Sequence, residues 1–226
     1  MMKNHKRILL AVSLFLVSNL CFSQSNEIKI KFIGNCGLYM TDGNLNIYVD
    51  FPYKSGAYGY MEYDKAELDS IKDNSIFIFT HKHADHYSGK AMREILRTKK
   101  NCKKFTQWKT KKLEKFSKSL PDFNVKAFKT KHGFSLKHNS YLITWHSKKI
   151  FISGDTENAE IIGRIKNIDW AFVPYWLLLD AKEKNIEVDA KMKALYHLYP
   201  NQKIESEIPE NMVVLRKEDQ LIEIPY

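Results

Sequence analysis

From residue 27 to residue 32, polar and apolar side chains alternate, with Ile28, Ile30 and Phe32 on one side. A period of two predicts a half-buried strand. Residues 38–40 and 45–49 read as two further strands joined at Asp42-Gly43, a dipeptide that favours a tight hairpin. Ile76, Phe77, Ile78 and Phe79 form an unbroken apolar run, as expected of a strand covered on both faces. After residue 86 the period lengthens. Ala91, Met92, Ile95 and Leu96 recur at helical spacing, and Leu113 with Phe116 does so among lysines. Strands are expected again over 125–128, in a hairpin of 141–145 and 149–152 turning at Ser147-Lys148, over 170–173 before Pro174, and at 194–196, 212–215 and 221–224. A helix over 157–165, capped by Thr156, is expected after Ser153-Gly154-Asp155. Short strands outnumber helices, and no repeat or low-complexity linker divides the chain. The expected class is α/β (α+β), with two sheets sandwiched between helices in a single domain. The length of 226 residues suffices for one such domain and is marginal for two.

The first residues follow a different pattern. Lys3, His5, Lys6 and Arg7 make a basic start, residues 8–16 are apolar except for Ser13, and Cys21-Phe22-Ser23 ends the stretch with small residues. This predicts a secretory signal over 1–23, cleaved after Ser23, and an exported domain over 24–226 in the periplasm or outside the cell. The run is short of the roughly 20 apolar residues of a comfortable span, which weighs against an anchor. Leu20 before Cys21 weighs against lipidation. No stable membrane span is expected after signal removal. Cleavage would remove Lys3, Lys6 and Arg7 and lower the net charge from +10 to +7. Much of that excess lies between Lys90 and Lys131. A solvated face accounts for it by default, and an anionic substrate is the alternative. Cys36 and Cys102 are expected to be separate thiols.

The chemistry concentrates in His81-Lys82-His83-Ala84-Asp85-His86, directly after the buried run. Imidazole and carboxylate are the ligands zinc takes in catalytic sites. Alternation puts His81 and His83 on one side of an extended segment, within reach of one metal. Asp85 and His86, where the chain turns into the helix, can point to a second.

A His-x-His-x-Asp-His motif after an apolar strand resembles the signature of the metallo-β-lactamase superfamily. The order of later residues fits as well: Asp50 at an early strand end, His132, then Gly154-Asp155 after a hairpin, and His197 after a strand. The resemblance covers nearly the whole chain beyond residue 23 and lies closer to the lactonase-like branch than to true β-lactamases. It implies a four-layer αββα sandwich and probes the same residues as ligands: His81, His83 and His132 on one metal, Asp85, His86 and His197 on a second, with Asp155 bridging. Asp50 would orient ligands through hydrogen bonds. His138 competes with His132, which is favoured because it sits in a loop beside Gly133. His146, at a hairpin tip, is expected to be exposed.

The expected cofactor is Zn²⁺, two per chain. Zinc lowers the pKa of bound water from about 16 towards about 7, so no serine or cysteine nucleophile is required. Asp85 and His83 are the candidate catalytic residues, Asp85 by orienting the nucleophile. The expected function is an exported zinc-dependent hydrolase in which a metal-bound hydroxide cleaves an ester, lactone, amide or phosphoester of a small molecule. A nuclease or phosphodiesterase, and a metal-binding protein without turnover, are the alternatives. A nucleic-acid partner is disfavoured by export and by the lack of a binding appendage. Tyr58 and Tyr60, and Pro174-Tyr175-Trp176, either line a cleft or pack surface loops. Nothing in the sequence names the substrate or the oligomeric state.

Overall fold

The computed structural model describes residues 26–204 and 207–226; the expected signal lies outside them. The alternating segment forms β1 (Glu27–Gly34), antiparallel to β2 (Gly37–Thr41) on one side and to the last strand, β12 (Leu221–Pro225), on the other. β2 turns into β3 (Asn46–Val49) where Asp42 Oδ1 accepts the backbone N–H groups of Asn44 and Leu45, both at 2.8 Å. β4 (Ile76–Ile78) and β5 (Lys103–Phe105) add in parallel, completing a six-stranded sheet ordered β12-β1-β2-β3-β4-β5.

The second sheet has the same design. β6 (Phe123–Thr130), β7 (His138–Trp145) and β8 (Lys148–Ile152) pair antiparallel. β9 (Ile168–Pro174), β10 (Ala190–Tyr196) and β11 (Met212–Val214) follow in parallel, giving the order β11-β10-β9-β8-β7-β6. The β7–β8 hairpin turns at His146 and Ser147, one residue earlier than expected, and both have positive φ, as a tight turn between twisted strands favours.

The inner faces of the two sheets meet in one core, where Ile28, Ile30 and Ile78 pack with Tyr141, Ile143, Trp145 and Phe172. The outer faces carry helices. α1 (Ala66–Ser70) and α2 (Gly89–Thr98) flank the first sheet, where Met92 and Ile95 join a cluster with Phe77 and Phe79. The apolar run of β4 thus divides between two cores, Ile76 and Ile78 inside and Phe77 and Phe79 outside. Each such buried side chain contributes about 1.5–3 kcal/mol. α3 (Thr110–Ser117) sends Leu113 into the inner core. α4 (Glu160–Gly163) and α5 (Tyr175–Glu183) cover the second sheet, with Ile162, Leu177 and Ala181 against Phe151 and Val173. The layers are therefore helix, sheet, sheet, helix. Among the described residues, no helix is long and apolar enough to cross a membrane.

Several local expectations need correction. The helix expected over 157–165 is one turn, α4, and Thr156 does not cap it; its Oγ1 donates to Lys131 O at 2.8 Å. α5 follows Pro174 directly, although its apolar sequence Tyr-Trp-Leu-Leu-Leu lacks a helical stripe. Leu96 is 40% exposed, on the outer side of α2. His146 is not simply exposed: its Nε2 lies 2.8 Å from Asp42 Oδ2 and its ring stacks on Tyr226. As expected, Cys36 and Cys102 are separate, free thiols.

Candidate metal centre

The parallel strands β3, β4, β8 and β10 end at one edge of the sandwich. Just beyond them come Asp50, His81, Asp155 and His197. The backbone bends sharply there, with φ of 48° at Asp50, 62° at Gly154 and 57° at His197. An L-residue in this region costs about 1–2 kcal/mol, so the bends at Asp50 and His197 are held by their surroundings. Gly154 is required outright, because a Cβ there would lie 2.5 Å from His138 Nε2.

Two groups of donor atoms converge. The deep group is Cys36, His86, Asp155 and His197, all buried. His86 Nε2 lies 2.9 Å from Asp155 Oδ1 and 3.1 Å from His197 Nε2. His197 Nε2 lies 3.0 Å from Asp155 Oδ2 and 3.2 Å from Asp85 Oδ2. The outer group is His81, buried, with the half-buried His83 and His132. His132 Nε2 lies 3.2 Å from His83 Nδ1 and 3.6 Å from Asp155 Oδ2, and His81 Nε2 lies 3.8 Å from that same oxygen. Asp155 thus stands between the two groups.

The surrounding hydrogen bonds leave ring nitrogens bare and aimed inward. Asp50 Oδ1 accepts from the Thr80 backbone N–H at 2.7 Å, and Oδ2 accepts from Thr80 Oγ1 at 2.6 Å. With its proton committed, Thr80 Oγ1 accepts from His81 Nδ1 at 3.1 Å. His86 Nδ1 donates to Asp50 Oδ2 at 2.9 Å. One carboxylate therefore orients His81, through Thr80, and His86 and leaves each Nε2 with a lone pair, the arrangement that carboxylates hydrogen-bonded behind metal-binding histidines produce. Glu157 Oε1, 3.2 Å from His132 Nδ1, does the same for the outer group.

The donors fit a cation. His81 Nε2 and Asp85 Oδ1 are buried without a hydrogen-bond partner. A buried acceptor left unpaired costs about 1–3 kcal/mol, and divalent ions bound at the two donor groups would satisfy them. The charge balance agrees. Burial alone would lower the His86 pKa, yet Asp155 and Asp50 carry it well above the ordinary imidazole value, and His197 also stands raised. Burial would raise Asp155, yet His197 and His86 hold it well down. The carboxylates around His86 and His197 thus favour positive charge between them, which a bound cation would supply.

His138 is occupied differently. Its Nδ1 pairs with Thr130 Oγ1 at 2.6 Å, and its Nε2 accepts the Asp155 backbone N–H at 3.0 Å. Burial pushes its pKa down to about 3, which keeps the ring neutral for that acceptor role. His138 braces the Gly154-Asp155 bend, while His132 reaches the donor cluster.

Aromatic side chains crowd His197. Tyr60 meets it edge-on with centroids 4.2 Å apart, and Trp176 at 5.1 Å. Tyr199, unmarked in the sequence, stacks on Tyr60 at 4.3 Å. Tyr58 is 66% exposed, and Tyr175 packs against the outer core. Cys36, expected from the sequence only to be a separate thiol, is the other omission. Its Sγ lies 3.9 Å from Asp155 Oδ1. A groove of about 760 Å³ between α1 and α2 contains none of these residues.

No protein-family model matches the chain, and no curated protein matches it. Solved structures do. A protein of Parabacteroides distasonis ATCC 8503 described as a metal-dependent hydrolase is 22% identical, over 78% of this chain and 84% of its own, with a TM-score of 0.56. The metallo-β-lactamase fold protein YhfI of Bacillus subtilis is 15% identical over 88% and 99%, with a TM-score of 0.63. The metallo hydrolase Igni18 of Ignicoccus hospitalis is 15% identical over 88% and 99%, with a TM-score of 0.62. The chain has the metallo-β-lactamase fold.

Proposed function

We propose that this protein is an exported, zinc-dependent hydrolase. His81, His83 and His132 hold one metal, and Asp85, His86 and His197 hold a second, with Asp155 between them. The observation that carries the reading is the unpaired pair of buried atoms, His81 Nε2 and Asp85 Oδ1, facing the edge where four strands deliver ligand-type side chains. The similar solved structures include proteins described as metal-dependent hydrolases, which supports the enzymatic reading.

Zinc at such a site supplies Lewis acidity and a water that ionises near neutral pH. The chain's own residues do the rest. Asp50 keeps His81 and His86 in the tautomer that presents Nε2. Asp85, with Oδ1 unpaired, orients the attacking water and takes up its proton. His83, half-buried at the mouth, holds the outer position beside the substrate. Tyr60 and Trp176 wall the site against His197 and position an apolar part of a small-molecule substrate carrying an ester, lactone, amide or phosphoester.

Elemental analysis of the purified protein, followed by a panel of lactone, phosphodiester and β-lactam substrates, tests this. About two zinc per chain and turnover of one class supports it. A folded protein that takes up no metal in excess zinc refutes it, and bound zinc with no turnover leaves a metal-binding protein. The mass of the mature protein tests export: a chain beginning at Gln24 is expected.

A phosphodiesterase or nuclease is the second reading. From Trp108 to Lys137, nine lysines stand against only Glu114 and Asp122, and this segment includes His132. Binding to single-stranded DNA or RNA that falls steeply with salt would favour it, and flat, weak binding would remove it.

A further inference from the structure

Cys36 lies at the turn between β1 and β2, with no solvent exposure, and its side chain faces the deep donor group. Its Sγ is 3.9 Å from Asp155 Oδ1, long for a thiol hydrogen bond. One ligand atom from each of Cys36, His86, Asp155 and His197 lies within 4.8 Å of all the others. Nitrogen and oxygen ligands at about 2.0–2.2 Å and sulfur at about 2.3 Å from a tetrahedral zinc lie about 3.3–3.7 Å from one another. With Asp155 Oδ1 as the carboxylate atom, His86 Nε2 lies at 2.9 Å and Cys36 Sγ at 3.9 Å, and the Nε2 atoms of His86 and His197 are 3.1 Å apart, so the nitrogen and oxygen pairs are somewhat short of that range and the sulfur pair somewhat long.

We propose that Cys36 is a thiolate ligand of the deep metal, completing a tetrahedral set with His86, His197 and Asp155. The inference rests on the metal-dependent reading above. On binding, a sulfur–metal bond forms and the thiol proton leaves to water. The assignment changes the role of Asp85. Its Oδ2 lies 3.2 Å from His197 Nε2 and 3.5 Å from His86 Nε2, so it would be a fifth donor. A deep metal satisfied by Cys36 does not need Asp85 as a permanent ligand, which leaves that carboxylate available to the water. A soft thiolate also biases the deep position toward zinc over magnesium or manganese.

Cobalt(II) distinguishes the possibilities, because tetrahedral cobalt gives visible d–d bands and a cobalt–thiolate bond adds a near-ultraviolet charge-transfer band. The full chain with Cys21→Ser and Cys102→Ser keeps Cys36 as its sole thiol. Loading it with cobalt is expected to give both sets of bands. Adding Cys36→Ser is expected to abolish the charge-transfer band, keep visible bands and weaken zinc retention by more than about ten-fold. Visible bands without charge transfer in the chain that retains Cys36 would overturn the assignment, leaving Cys36 a neighbour of Asp155 only, with the metal site intact. Absence of any cobalt bands, with circular dichroism showing a folded chain, would remove the metal reading itself. The decisive spectrum comes from the chain that keeps Cys36, so poor folding of Cys36→Ser does not blunt the test.

Discussion

The two ends of the sandwich use the same residue types for opposite purposes. At the hairpin end, Asp42 takes four hydrogen bonds: the Asn44 and Leu45 N–H groups on Oδ1, and Trp145 Nε1 at 3.2 Å and His146 Nε2 at 2.8 Å on Oδ2. It ties the first sheet to the second, and its acceptors are satisfied. At the other end, Asp50 is equally committed, but the groups it orients are not. His81 Nε2 and Asp85 Oδ1 have no partner, and His86 Nε2 faces His197 Nε2 and two carboxylates. An aspartate and a histidine in contact do not mark a site. What marks it is a set of lone pairs that the protein's own donors leave unsatisfied along one edge, a cost that bound cations offset.

The sharpest way to break this comparison is Asp155→Ala, which removes the carboxylate shared by both donor groups. Both metals are expected to be lost, and turnover to fall at least about 10³-fold, the scale on which a group stabilising the transition state acts. Elemental analysis and activity check it, and retention of both metals would contradict the bridging role. Next is the pair of histidines in and beside β7. His132→Ala is expected to empty the outer position while leaving the melting temperature nearly unchanged. His138→Ala is expected to keep the metal but lose about 1–3 kcal/mol of stability, because the Asp155 N–H loses its acceptor. Reversal of that pattern would reassign the ligand.

Asp50→Asn tests whether orientation alone matters. Metal affinity is expected to fall by about 10–100-fold, since His86 loses the acceptor that sets its tautomer and Thr80, which orients His81, loses its own. A competition titration with a chelating dye reads this directly. The smallest effect on activity is expected at the hairpin end. Asp42→Ala should leave metal content and turnover intact while costing about 1–3 kcal/mol, because Trp145 Nε1 becomes a buried donor without a partner. Burial would raise the Asp42 pKa, but the Leu45 N–H and His146 hold it below its ordinary 3.8. A carboxyl lowered in the folded state stabilises fully above its unfolded value, and that contribution fades as pH falls through the folded one. The gap between wild type and Asp42→Ala in urea unfolding should therefore be widest at neutral pH and narrow below about 3.8.

Much of the architecture was legible in the chain because the strands carry their burial pattern locally. The alternation at residues 27–32 and the two-faced run at 76–79 state which faces are covered, and both became strands at the expected places. The helix α5 was hidden because Tyr175–Glu183 is apolar on most sides and has no stripe to betray it. β5 and α1 were hidden because three to five residues are too few for a period to show.

The site divides along the same line. Sequence alone supplied the dense His81–His86 motif and the ligand-type residues at later strand ends, since a residue just past a parallel strand is carried to the same edge as its neighbours. Tertiary structure alone decided how each is used. His132 and His138 are six residues apart, yet one reaches the donor cluster while the other braces the Gly154 bend from within β7. Cys36 and Asp155 are 119 residues apart and meet only because two sheets close on one core. Residue type and spacing along a strand are local properties, and a chain carries them openly. Which lone pairs remain unsatisfied depends on contacts between distant segments, and only the packed fold brings those together.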